Sequence, residues 1–148
     1  ALLAHLLLVL DDSSPVAVAV DLRLPPSAHA LAGAVADEWP RLKGRIDTRT
    51  ADADCIEIRP NDLVVSAHPC GALTDRVIDM AITASARMAL LPCCHDHVTC
   101  DTGGLEAWMP RPLAIDATRV ARVRRSRIPA GAKTRRGRRR SRPRTTRR

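Results

Sequence analysis

The chain has 148 residues, room for about one domain, and a formal net charge of +8 at pH 7. That figure averages two opposite parts. Residues 119–148 carry 15 Lys and Arg and no acid, whereas residues 1–118 carry nine basic against 16 acidic groups, a net of −7. With two Trp and no Phe or Tyr, an aromatic core is excluded, and Ala, Val, Leu and Ile must fill it.

The opening ALLAHLLLVL is apolar nearly all round and predicts a helix over 2–10, buried against a sheet. It has no basic flank, and Asp11-Asp12 follow it instead of a small-residue cleavage site, so a signal peptide is not the reading. It also falls well short of the roughly 20 apolar residues of a membrane-spanning helix. Val and Ala then alternate into Asp21, which predicts a strand over 16–21. Pro25-Pro26-Ser27 opens a helix over 27–39, since proline is tolerated in a first turn. Pro40 interrupts it, and a further turn covers 41–44. A short strand is expected over 46–50, then a polar loop over 51–61 holding Asp52, Asp54, Cys55 and Glu57.

DLVVSA predicts a buried parallel strand over 62–67. His68-Pro69-Cys70-Gly71 breaks it, because proline cannot continue a central strand and glycine permits a tight turn. Thr74 and Asp75 stand where a helix cap is expected, and Val77, Ile78, Ala81 and Ile82 give the apolar face of a helix over 74–86. MALLP predicts the strand 88–92, which empties into Cys93-Cys94-His95-Asp96. A loop with Gly103-Gly104 covers 97–112, and a helix is expected over 113–123. Beyond Arg124 the sequence is low-complexity and Arg-rich. The organisation expected is therefore a domain over 1–123 and a solvated, disordered tail over 124–148. Strands alternating with helices imply an α/β fold with a parallel sheet and right-handed crossovers. In such sheets ligands bind outside the carboxyl ends of the strands, which singles out the turns at 68–71 and 93–96.

Those two turns carry a resemblance. His68, Cys70, Gly71, Thr74 and Asp75 after one strand, with Cys93, Cys94 and His95 after the next, resemble strands four and five of the Rossmann-fold methyltransferases that use S-adenosylmethionine. The similarity is to the group with His-x-Cys-Gly and Cys-Cys-His turns, which includes tRNA 2′-O-methyltransferases and the methyltransferase domain of the glutathione-S-transferase C-terminal-domain protein. It extends more weakly over 2–122. It implies a partial Rossmann-like sheet, strands two to five, with flanking helices. The Gly-rich cofactor loop would precede Ala1, and the strands expected after strand five have no counterpart in the Arg-rich tail, whose abrupt composition suggests a frame-shifted or divergent terminus. On this reading the chain is an incomplete methyltransferase domain, and residues 1–148 alone are expected to bind the cofactor weakly or not at all.

The resemblance also implies roles. Asp21, at a strand end, corresponds to the acid that holds the cofactor ribose, a task suited to a carboxylate that accepts two hydrogen bonds, with a helix-capping or solvated acid as the alternative. Asp52 or Asp54 corresponds to an acid facing the adenine amino group, with plain solvation as the alternative. His68 falls where a group that orients or deprotonates the methyl acceptor sits, or it is a structural turn residue. Cys70, Cys93, Cys94, His95 and Asp96 line the substrate pocket, and RNA is the acceptor implied. Cys70 is expected to be buried beside Gly71.

Five cysteines make no even framework, so they are read as reduced, intracellular thiols of a cytoplasmic protein. Cys93, Cys94, His95, His97 and Cys100 invite a zinc reading, but adjacent cysteines do not easily face one tetrahedral ion, and no metal site is assigned. The positive charges from Arg119 onward are expected to bind polyanions through counterion release. Two alternatives stay open: a non-enzymatic nucleic-acid-associating protein acting through that tail, and a small zinc-binding module.

Overall fold

A computed structural model describes residues 2–127. In chain order, α1 is Leu2–Leu10, β1 Ala17–Asp21, α2 Ser27–Glu38, β2 Ile46–Thr50, β3 Leu63–Ala67, α3 Ala72–Thr83, β4 Arg87–Leu91 and α4 Arg111–Ser126. Single 3-10 turns cover Pro40–Leu42, Ala53–Cys55 and Leu105–Ala107. The chain is thus α/β, with every expected element present and most boundaries within two residues.

Two parallel pairs form the strand layer. Ala17 to Asp21 run beside Ile46 to Thr50, and Leu63 to Ala67 beside Arg87 to Leu91. The single sheet expected is therefore split into β1–β2 and β3–β4 among the described residues. The split follows from the strand order of the doubly wound fold. In the order 3-2-1-4-5-6, strands two and four each neighbour strand one and not each other. The two observed pairs match strands two with three and four with five of that order.

Small aliphatic cores serve the two pairs. Leu8, Val35 and Leu42 are buried together, with Val9, Ala17, Leu31 and Ile46 packed on them. On α3 the buried residues are Thr74, Val77, Ile78 and Ala81, the i, i+3, i+4, i+7 stripe of an amphipathic helix. Ala114, Ile115 and Arg119 are buried on α4.

Three local expectations are corrected. Helix α1 is not buried all round: it covers His5 and Leu8 and leaves Leu2, Leu6 and Leu10 exposed, since only one stripe of a helix can face α2 and β1. Helix α3 begins earlier, at Ala72, with Gly71 as its cap. Thr74 lies inside the first turn, where its buried hydroxyl donates back to the Pro69 carbonyl. Helix α4 runs on through Arg124 and Arg125 to Ser126, and cations suit a helix C-terminus. The tail expectation over 128–148 lies outside the described residues. No helix among the described residues is long and apolar enough to cross a membrane.

Candidate active site at the strand carboxyl ends

The two turns singled out by the sequence interlock. His68 continues the ladder beyond β3, its amide donating to the Leu91 carbonyl at 2.9 Å. Its backbone then turns to φ 63°, a conformation that costs a non-glycine residue on the order of 1–3 kcal/mol, and its side chain stays exposed. Pro69 is fully buried beneath it. Gly71 has φ 54°, and its amide donates to the Cys94 carbonyl at 3.3 Å. A Cβ at Gly71 would stand 3.0 Å from the Cβ of Asp96, so the turns meet backbone to side chain.

The thiols gather at this junction. Cys70 is exposed rather than buried, because Pro69 and Gly71 take the interior positions on either side. Its thiol points at the His68 carbonyl, 3.5 Å away, and its Sγ lies 3.1 Å from Cys93 Sγ. Cys93 and Cys94, both exposed, have sulfurs 3.5 Å apart. The expectation that neighbouring cysteines turn away from a common point is thereby corrected: Pro92 ends the strand, and the alternation of strand side chains ends with it.

Asp96 and His95 act within the turn. Asp96 accepts the Val98 amide at 2.9 Å and the Thr99 hydroxyl at 2.5 Å, which lowers its pKa below the ordinary carboxylate value, the Thr99 bond contributing most. His95 Nε2 lies 2.9 Å from Asp116 Oδ1 on α4. That contact directs the imidazole toward α4.

A buried arginine holds the assembly from behind. Arg119, 6% exposed, binds Asp75 through both Nε and Nη2 at 2.9 and 2.8 Å. The same Nη2 donates to the Gly71 carbonyl at 3.0 Å and to Cys100 Sγ at 3.3 Å. Sequence reasoning placed Arg119 at the head of a free polycationic run, whereas the fold consumes it. Arg122 likewise pairs with Asp79 on α3. The legible signal was the apolar stripe of α4, which places 119 on the face shared by Ile115.

The bond from Arg119 is the main reason that Asp75 has a pKa below its ordinary value. A depressed carboxylate contributes stability above the unfolded-state value, about 3.9, and loses it as pH falls through the folded-state value. Asp75→Asn is therefore expected to flatten the loss of stability below about pH 4. Urea unfolding of both chains across that range checks this, and parallel curves would exclude Asp75 as a contributor.

Asp21, Asp52 and Asp54 lie on the other strand pair. Asp21 is exposed at the end of β1, where its Oδ1 accepts the Arg23 amide at 3.0 Å. Asp52 Oδ1 accepts the Asp54 amide at 3.1 Å and the Arg76 guanidinium at 2.9 Å, and Asp54 also pairs with Arg76. The Asp54 amide is the largest cause of the lowered Asp52 pKa. Both acids are thus engaged by an arginine of α3. That bridge brings the carboxyl end of β2 to the start of α3, just past the His68 turn. The Ala51 amide meanwhile donates to the Asp21 carbonyl at 3.0 Å. The carboxyl ends of both strand pairs are linked through these contacts. Two surface grooves run along α4, past Asp116, Val120 and Arg124, and His68 lines neither.

No curated protein and no solved structure matches the chain. The sequence profile of a family described as a methyltransferase domain matches residues 6–101, from α1 to the loop after the Cys93–Asp96 turn. That span is well over half of the 148 residues and contains both interlocked turns, and the chain belongs to this methyltransferase-domain family.

Proposed function

We propose that this domain transfers the methyl group of S-adenosylmethionine to an acceptor held over His68 and the Cys93–Asp96 turn, with RNA as the acceptor. The observation that carries the reading is the junction of the two turns at the carboxyl ends of β3 and β4, with His68 exposed at positive φ. Bound cofactor supplies an electrophilic sulfonium methyl. The chain's part is mainly alignment, since displacement at a sulfonium depends on holding nucleophile and methyl in line. Asp21 fits the cofactor ribose: its carboxylate is exposed, and the Arg23 amide occupies one of about four lone-pair sites, which leaves acceptors for a diol. Asp52 and Asp54, tied to Arg76, border the cofactor at the next strand end and shape it through that ion pair. His68 orients the acceptor hydroxyl and takes its proton.

Amide chemical shifts test the cofactor half. Titration of S-adenosylmethionine to millimolar concentration is expected to move the resonances of 21–23 and 68–71, and Asp21→Asn is expected to abolish the movement. Shifts confined to other segments would remove the assignment. For the acceptor half, labelled methyl transfer to RNA by the protein is expected to fall roughly 100-fold or more in His68→Ala. An unchanged rate would leave His68 as a turn residue only.

A second reading rests on charge. Residues 124–148 carry 13 Lys and Arg with no acid and no aromatic residue, which suits phosphate neutralisation and not base stacking. Deleting 124–148 then removes salt-dependent RNA retention and spares the cofactor-induced shifts.

A further inference from the structure

We propose that Cys70, Cys93 and Cys94 together bind a thiophilic d10 cation, zinc in the first instance, at an exchangeable three-thiolate site. The three sulfurs all lie within 4.8 Å of one another, with 3.1 Å between Cys70 and Cys93 and 3.5 Å between Cys93 and Cys94. Thiolates bound to zinc at about 2.3 Å in tetrahedral geometry stand about 3.8 Å apart, so movements of a fraction of an ångström close the set on an ion. Soft thiolates select soft cations over the hard ions that carboxylates hold.

The surroundings favour an exchangeable site over a structural one. All three thiols are exposed and reduced, so an ion has a path in. No histidine or carboxylate joins them among the described residues, which leaves a fourth position for water or an incoming ligand. His95 is turned onto Asp116, and Cys100 is buried against Arg119. The ligands come from two turns, already tied by the Gly71 amide on the Cys94 carbonyl. Binding therefore does not require the chain to bring distant segments together.

The exchange balances without a redox step. Zinc enters as the dication, each thiol gives up one proton, and three thiolates with the ion carry a net charge of −1. Affinity must then rise with pH and binding must acidify an unbuffered sample. The site does not depend on the methyl-transfer reading, and its test uses no methylation.

The decisive experiment follows alkylation of the reduced full chain by iodoacetamide, residue by residue, with and without one equivalent of zinc. Zinc is expected to slow reaction at Cys70, Cys93 and Cys94 by roughly tenfold or more, because the thiolate is the nucleophile and the metal occupies it. Cys55, exposed on a separate turn, should react at an unchanged rate. Cobalt gives a second readout: a sulfur-to-metal charge-transfer band that zinc displaces, that Cys70→Ser, Cys93→Ser and Cys94→Ser each lose, and that Cys55→Ser keeps. The proposal is overturned if zinc protects Cys55 equally, if any of the three stays unprotected, or if the cobalt band survives Cys70→Ser. Should a serine variant fail to fold, the alkylation pattern of the native chain decides alone.

Discussion

Arg119→Ala is expected to destabilise the chain by about 3–5 kcal/mol, the cost of stranding one member of a buried ion pair. Arg119 is 6% exposed and supplies a bidentate contact to Asp75, a bond to the Gly71 carbonyl and one to Cys100. Its loss strips the part-buried Asp75 carboxylate of its bidentate partner and the Gly71 carbonyl of a donor. Against a typical total of roughly 5–15 kcal/mol, that is enough to unfold a large share of molecules. Arg119→Lys keeps the charge but not the fork, so a loss intermediate between the two is expected. The exposed pair of Arg122 with Asp79 is the internal contrast: Arg122→Ala is expected to cost under about 1 kcal/mol. Urea midpoints of the three variants check the ranking. If Arg119→Ala and Arg122→Ala were equally mild, Arg119 would not be holding α4 to the turn.

The same pair shows where the sequence is legible and where it is not. Periodicity located α3 and the strands because each depends on neighbours three, four or two residues away. Val77, Ile78 and Ala81 declare a buried face whatever they pack against. The two turns were legible too, since Pro69 and Gly71 constrain their own backbone and the strand ends of a parallel pair must share an edge. Asp75 and Arg119, 44 residues apart, carry no such local mark, and Arg119 reads as the first of a cationic run. The cysteine arrangement was hidden for a different reason. Whether Cys93 and Cys94 face together depends on how the chain leaves β4, and that is set by contact with Gly71 and not by spacing. The paired strands were legible as elements, but the gap between pairs was not, because an alternating pattern does not state which strands are neighbours. Asp52 and Asp54 were correctly placed in a polar loop, while their engagement by Arg76 came from another helix.

Gly71→Ala is expected to be the second most damaging single change, and it tests the junction on which the site depends. Gly71 adopts φ 54° and ψ −130°, the mirror of an extended conformation and open essentially to glycine alone. An alanine held there pays on the order of 1–3 kcal/mol in backbone strain. Its Cβ would also stand 3.0 Å from the Cβ of Asp96, backed by the Asp96 amide nitrogen at 3.9 Å. Asp96 cannot retreat freely, because Val98 and Thr99 hold its carboxylate and Cys100 holds its carbonyl. The Cys93–Asp96 turn must therefore move away from the His68 turn, and the Gly71 amide then loses the Cys94 carbonyl. Two consequences separate this from simple destabilisation. Amide exchange should accelerate at Gly71 and over 93–100, while β1–β2, which shares little packing with these turns, keeps its protection. Separation of Cys70 from Cys93 should also slow the formation of a disulfide between them when the reduced chain meets a disulfide oxidant such as oxidised glutathione. If Gly71→Ala unfolds with the native midpoint and cross-links at the native rate, the turns do not depend on this contact, and the carboxyl-edge site would need another foundation.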